Sequence, residues 1–212
     1  MSRARLLAAA AALAIVAGLA FGCGPAATTP ASGTATSTAP APAAPVRATV
    51  TTDKGVFVVE LRPDKAPKTV ANFVKLADAR FYDGVRVHRV VPGFVMQAGD
   101  PLTKGLSAEK VAAIVARREA GTPAAGDPAI GTGGPGWTVD FEPNDLTHER
   151  GAIAMARTSD PNSAGSQFYV TLAAAHSLDG QYTVFGSVVS GIDVVDKLAV
   201  GDLIKSIAIA AK

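Results

Sequence analysis

From residue 46 onward the chain reads as a series of short β-rich runs, each cut off by Gly, Pro, Asn or Asp. The runs lie at 48–52, 56–61, 85–91, 94–98, 137–142, 152–157, 167–172, 183–188 and 204–210, and Asp53, Lys54 and Gly55 mark a hairpin between the first two. Two helical patterns interrupt them. In 66–79, Val70, Phe73, Val74 and Ala77 share one stripe and Pro67 suits the first turn; in 191–199, Ile192, Val195 and Leu198 are the apolar positions. Many short strands with few helices argue for a closed β-barrel or sandwich and against a parallel α/β sheet. No internal repeat appears.

The region before residue 46 cannot join that core. Arg3 and Arg5 precede an uncharged run of Ala, Leu, Ile, Val and Gly over 6–21, the pattern of an export signal. At about 16 residues the run is marginal for a membrane span, which needs roughly 20, although a retained anchor helix is the alternative. Cys23, the one cysteine of the chain, follows directly after Gly22. The segment 1–23 resembles the lipobox of bacterial lipoproteins, in which the Cys becomes the lipidated mature N-terminus. It departs from that box in having Ala20 where Leu is usual, Leu19 one place further back, and the bulky Phe21. Ordinary signal cleavage with an incidental Cys is the competing reading, but exported proteins rarely keep one unpaired thiol. Residues 24–45 are almost wholly Ala, Thr, Pro, Ser and Gly, with nothing bulky to bury, and are expected to form a disordered linker. Residues 46–212 are then one domain with a single core.

Composition narrows the function by exclusion. The 212 residues carry a net charge of +2, with no basic stripe interleaved with aromatics, so nucleic acid is not an expected partner. One Cys leaves no internal disulfide and no thiolate zinc cluster, and His88, His148 and His176 share no ligand spacing. The glycine-rich 131–136 formally fits a dinucleotide-binding pattern, but that pattern must open a helix after a strand. Here Pro135 and an expected strand follow it. Ser166 has no nucleophile-elbow context.

The segment between Asp100 and Gly131 does not fit a compact barrel and reads as an insertion, about 101–130. It holds its own helix, 107–120, with Ser107 as cap, Leu106 and Val111 as a hydrophobic staple, and Val111, Ile114 and Val115 as the stripe expected to face the barrel. Arg117 and Arg118 fall in its last turn and Gly121 closes it.

Three stretches carry the chemistry: 87–100, with His88-Arg89-Val90-Val91-Pro92-Gly93-Phe94; 151–157 with 162–170; and 178–186. Together, and in this order, they resemble the cyclophilin family over nearly all of 46–212 apart from the insertion. The resemblance implies an eight-stranded antiparallel closed β-barrel capped by two helices. It also implies peptidyl-prolyl cis-trans isomerase activity without a cofactor or metal, proline-containing polypeptide clients, and a monomer. Matched position by position, it makes Arg89, Phe94 and Gln97 the catalytic residues. Val95 (often Met in the family), Gly131, Ala156, Arg157 (for Asn), Gln167, Tyr169 (for Phe), Leu178 and Tyr182 (for His) become the substrate-binding residues. Ser177 stands where some members have Trp. With the export signal, the expected role is folding of exported proteins from a periplasmic or cell-surface position on a lipid anchor at Cys23. A non-catalytic module binding proline segments of the cell envelope is the alternative.

The chemistry of the reaction suits these residue types. Rotation about an X-Pro bond meets a barrier of about 20 kcal/mol, because amide resonance is lost in the twisted state. The nitrogen then regains a lone pair, and a positioned donor can stabilise it. Arg89 is a permanently charged, multi-donor group suited to that place. The proline ring needs an apolar seat, and the flanking carbonyls need dipoles to hold them.

Overall fold

The computed structural model describes residues 45–210. Eight strands form one antiparallel sheet: β1 (Val46–Thr52), β2 (Val56–Leu61), β3 (Arg89–Val91), β4 (Val95–Ala98), β5 (Ala152–Met155), β6 (Phe168–Thr171), β7 (Val184–Ser190) and β8 (Ile204–Ile209). They lie in the order β3-β4-β6-β5-β7-β2-β1-β8. Three helices accompany them: α1 (Pro67–Asp78), α2 (Ala108–Glu119) and α3 (Ile192–Asp196). The β1–β2 hairpin turns where expected. Gly55 takes φ 137°, and Thr52 Oγ1 donates to its carbonyl at 2.8 Å while accepting from Lys54 N.

The sheet curls on itself without a closing ladder, so a fully closed barrel overstates it. The expected strand 85–91 divides in two. Residues 89–91 pair with β4, whereas the preceding residues turn to β8. There the seam is a single antiparallel bridge, Arg86 to Leu203, flanked by Val87 N to Asp202 O and Ile204 N to Val85 O, both 2.9 Å.

Along the strands beside that seam, alternate residues serve two different clusters. Met96, Ala98, Ile153, Met155, Phe168 and Val170 point inward with Phe57, Leu61 and Phe185. Helix α1 closes this interior with Phe73, whose ring lies 5.2–5.6 Å from those of Tyr82, Phe185 and Phe168. The other set, Val95, Ala152, Ala154, Tyr169 and Val184, forms a second cluster on the outer face, joined by half-buried Phe94, Leu146, Ala156, Leu178 and Tyr182. The second capping helix is shorter than its pattern suggested: α3 has five residues, little more than one turn.

The expected strand 137–142 is absent. Its backbone makes one bridge, Val139 to Ala164, and its side chains attend to α1 instead. Glu142 accepts from Lys68 N, Thr69 N and Thr69 Oγ1 at 2.7–2.9 Å, capping a helix whose own N-cap position is Ala66. Asp140 pairs with Lys68, and the Trp137 indole donates to Asn72 Oδ1 at 2.8 Å. A segment spending its side chains this way cannot also lie in a sheet. No helix follows the 131–136 glycines either, so nucleotide binding stays excluded, on that ground rather than on a strand.

In the insertion, Ser107 Oγ accepts from Lys110 N and Gly121 sits at φ 72°, as the pattern required. Val111 and Ile114 are buried, but their main companion is Ile130, from the far end of the insertion itself. Leu106, Val115 and Val200 are half-buried around them. Arg86 ties this small core to the barrel, donating to Leu106 O at 2.7 Å and Gly201 O at 2.6 Å. No helix among the described residues is long and apolar enough to cross a membrane. The signal segment 1–23, Cys23 and all but the last residue of the linker 24–45 lie outside the described residues.

Candidate active site

The outer apolar cluster forms the floor of a cleft of about 230 Å³. Nine residues singled out in the sequence line it: Arg89, Phe94, Val95, Gln97, Ala156, Arg157, Tyr169, Leu178 and Tyr182. The strands explain how. Arg89 and Gln97 are register partners across β3 and β4, and Gln97 in turn faces Tyr169 on β6. Arg89 is exposed at the mouth, Val95 and Tyr169 are buried, and Phe94, Leu178 and Tyr182 are half-buried walls. The cleft is therefore apolar below and cationic above.

The remaining two residues, Gly131 and Gln167, belong to a neighbouring depression of about 500 Å³ that shares Gln97, Ala156 and Arg157 with the cleft. A bonded series connects the two: Gln97 Nε2 donates to Gln167 Oε1 at 3.0 Å, and Gln167 Nε2 to Gly133 O at 2.8 Å. The two amides are thereby oriented and present their remaining groups to a passing backbone. The glycine rim of this depression hangs on Asp100, which sequence reasoning did not single out. This carboxylate is fully buried and accepts from the backbone of Leu102, Gly131 and Gly133. A Cβ on Gly133 would come within 2.1 Å of Asp100 Oδ1, so only glycine allows that approach.

Arg157 uses its side chain on the protein. It donates to Gln181 O and Thr158 O at 2.8–3.1 Å, and its guanidinium lies 4.5 Å from the centre of the Tyr182 ring. It therefore braces the wall that Tyr182 presents, edge-on to Tyr169 at 5.8 Å. Ser177 is exposed and is not part of the cleft lining. Ser166 is buried and donates to Gly99 O at 2.7 Å, a structural use of its hydroxyl.

Two histidines without any common spacing meet in space on Asp179. His148, fully buried, bonds Asp179 Oδ1 through Nδ1 at 2.7 Å and the Tyr169 hydroxyl through Nε2 at 2.9 Å; His176 reaches Asp179 Oδ2 at 3.0 Å. Hydrogen bonds from the His148 ring, and then from its backbone N–H, hold the Asp179 carboxyl at about 2. Burial raises the Tyr169 phenol well above its ordinary range, so it stays protonated and donates to His148. A Tyr in place of the family's Phe could have signalled such a partner in the sequence; which residue it was could not be read, because His148 and Asp179 are distant along the chain. Burial also pushes His88 down, against the charge of Asp100 and a contribution from Gln167.

Comparison with known proteins agrees with this geometry. The family described as cyclophilin type peptidyl-prolyl cis-trans isomerase/CLD matches residues 47–209. Peptidyl-prolyl cis-trans isomerase B of Bacillus subtilis is 40% identical over 152 residues, covering 71% of this chain and 87% of that protein. A peptidyl-prolyl cis-trans isomerase of Helicobacter pylori is 38% identical over 168 residues, 77% of this chain and 86% of its own. A crystal structure of a Cryptosporidium parvum cyclophilin type peptidyl-prolyl cis-trans isomerase superposes with a TM-score of 0.63 at 24% identity, covering 80% of this chain and 99% of that one. A second crystal structure of that protein, in the presence of the dipeptide Ala-Pro, gives 0.62. The chain belongs to the cyclophilin-type peptidyl-prolyl cis-trans isomerases and shares their activity, the interconversion of cis and trans X-Pro peptide bonds.

Proposed function

We propose that this isomerase acts on proline-containing segments of exported polypeptides, with Arg89 as the catalytic group, from a lipid anchor at Cys23 on the outer side of a membrane. The observation that carries the catalytic assignment is the position of Arg89. It is an exposed guanidinium at the mouth of a cleft whose floor and walls are Val95, Phe94, Tyr169, Leu178 and Tyr182. A proline ring seated on that floor is held by apolar contact alone, which leaves its amide free to turn. As the bond twists, the nitrogen pyramidalises and its lone pair accepts a hydrogen bond from Arg89. That interaction exists in the twisted state and not in the planar ground states, so it lowers the barrier rather than merely tightening binding. Gln97, oriented by Gln167, holds a carbonyl of the substrate backbone, and the rim at Gly131 lets that backbone pass close. Phe94 and Tyr182 confine the ring while the residue before proline rotates. The Ala-Pro dipeptide present with the Cryptosporidium relative is consistent with proline recognition by this fold.

Arg89→Ala in the full chain tests the assignment. A charged donor in a sheltered site contributes several times the ~1.4 kcal/mol that makes a tenfold rate change. The variant is expected to lose at least about tenfold in kcat/KM for an Ala-Pro peptide while melting like the parent. Equal rates at equal stability would leave the fold as a proline-binding module only.

The anchoring rests on the order of its parts in the sequence. A basic start, an uncharged apolar run, one Cys and a linker without bulky residues form an export-and-tether arrangement. Two or more acyl chains give stable attachment where one is marginal. Mass spectrometry of the mature N-terminus decides it: a diacylated or triacylated Cys23 is expected, and a start downstream of Cys23 would sink the proposal. Isomerisation consumes no ATP, which suits catalysis outside the cytoplasm.

A further inference from the structure

A second depression, of about 330 Å³, opens beside the cleft between the β3–β4 hairpin and α2 of the insertion. Arg89 and Gln97 line it as well as the proline cleft, so a polypeptide lying in the cleft has this hollow next to it. From the barrel side the hollow is lined by His88. From the insertion come Val115, Arg118 and Glu119. Val115 is the one member of the helix stripe left half-buried, while Val111 and Ile114 are covered by Ile130. The stripe therefore has its own core and a remaining edge that faces the hollow.

Two features of the lining point to a ligand. His88 is 3% exposed, and neither of its ring nitrogens has a hydrogen-bond partner. Buried polar groups are nearly always paired, and an unpaired ring with one donor and one acceptor calls for a polar group to meet it. Burial keeps the ring neutral by pushing its pKa down, so it does not add a charge of its own. The second feature is the charge. Arg89 and Arg118 face one carboxylate, Glu119, and among the described residues none of the three is held in an ion pair. Arg117, one position earlier, is by contrast committed to Asp127 through two bonds of 2.8–2.9 Å. The excess of positive charge and the unpaired imidazole are both suited to a carboxylate.

We propose that the insertion adds a specificity subsite to this isomerase, in which Arg118 recognises an acidic side chain of the polypeptide close to the proline being turned. Arg118 supplies the charge, Val115 packs the methylenes of an Asp or Glu, and His88 gives the carboxylate or its neighbouring backbone a hydrogen bond. Glu119 works against the preference and limits it. The subsite rests on the placing of substrate in the Arg89–Gln97 cleft.

The test uses peptides with one Ala-Pro bond and Glu, Gln or Lys placed singly at each of three positions on either side. Cis-trans exchange is followed by NMR, so that no protease specificity enters. With the full chain, Glu is expected to exceed Gln in kcat/KM by about fivefold at one position, the worth of a good half-exposed ion pair, with Lys below both. That ratio is expected to fall to near one in Arg118→Gln, to rise in Glu119→Gln, and to shrink as salt is raised. Equal turnover of Glu and Gln peptides at every position, a preference for Lys, or a Glu preference that survives Arg118→Gln would each overturn the subsite. Those results would leave the isomerase reading standing, because the Gln peptides are still turned over. Absence of turnover for every peptide would sink both.

Discussion

One sheet carries two kinds of strand. In β1, β2 and β8 burial alternates, so that Ala48, Val50, Phe57, Val59, Ile204 and Ile207 face the interior while their neighbours meet solvent. In β5 and β6 every residue is buried, and in β4 only Gln97 is not. The first kind is the ordinary outcome for an antiparallel sheet with one wet face. The second has an apolar outer face that no helix covers, and it is there that the cleft lies. Half of the sheet is built for stability alone; the other half keeps an apolar surface open for a proline ring.

The contrast can be broken by residue. Phe168 and Tyr169 are neighbours on β6 that point to opposite faces, Phe168 touching the rings of Phe73 and Tyr82. Phe168→Ala is expected to cost about 3–5 kcal/mol in urea unfolding, as a large cavity in a core does. If it costs under about 1 kcal/mol, the inner face is not the stabilising one. Tyr169→Phe keeps the ring and strips the hydroxyl from His148 Nε2, leaving a fully buried nitrogen unpaired. A smaller loss of about 1–3 kcal/mol is expected there. Tyr182→Ala removes a half-buried wall, and its effect belongs to function. It is expected to lower kcat/KM about tenfold, equivalent to ~1.4 kcal/mol of lost contact, with a smaller change in melting temperature than Phe168→Ala.

The least effect is a pH limb. Asp179 titrates at about 2 in the folded chain against an ordinary 3.8. A depressed carboxylate contributes stability that is present above the unfolded value and lost as pH falls through the folded one. The parent is therefore expected to lose stability between about pH 4 and pH 2 more steeply than Asp179→Asn, by comparison of urea midpoints. Parallel curves would show that the His148 bonds do not favour the charged form.

Why some of this was readable is clear from particular residues. Ala152-Ile153-Ala154-Met155 is a continuous apolar run, whereas Thr49 and Thr51 alternate with Val50. Period and composition therefore distinguish the two-sided strands from the one-sided ones. The cleft residues were legible because the hairpin and the β4–β6 pairing place them by register alone. The helix in the insertion was legible from its caps. The stretch 137–142 was not: Trp137, Val139 and Phe141 alternate like a strand, and nothing local says that Glu142 will cap α1 or that Trp137 will bond Asn72. Asp100 and the His148–Asp179 pair escaped for the same reason. Each acts on groups about thirty residues away or on another strand, and only tertiary structure brings them together. The closed ring was overstated because the bend at His88, which divides one run between two partners, has no sequence marker.

The order of strands also sets an orientation. The domain begins on β1, and Ala210 N bonds Arg47 O, so both ends of the domain leave it side by side. In the sheet order β1 stands four positions from β6, half of an eight-strand circuit, while β6 lies under the cleft. A domain moored by its leading end would turn its working face away from the mooring. Clients could then approach from open solvent, and a fusion at either end would leave the groove unobstructed.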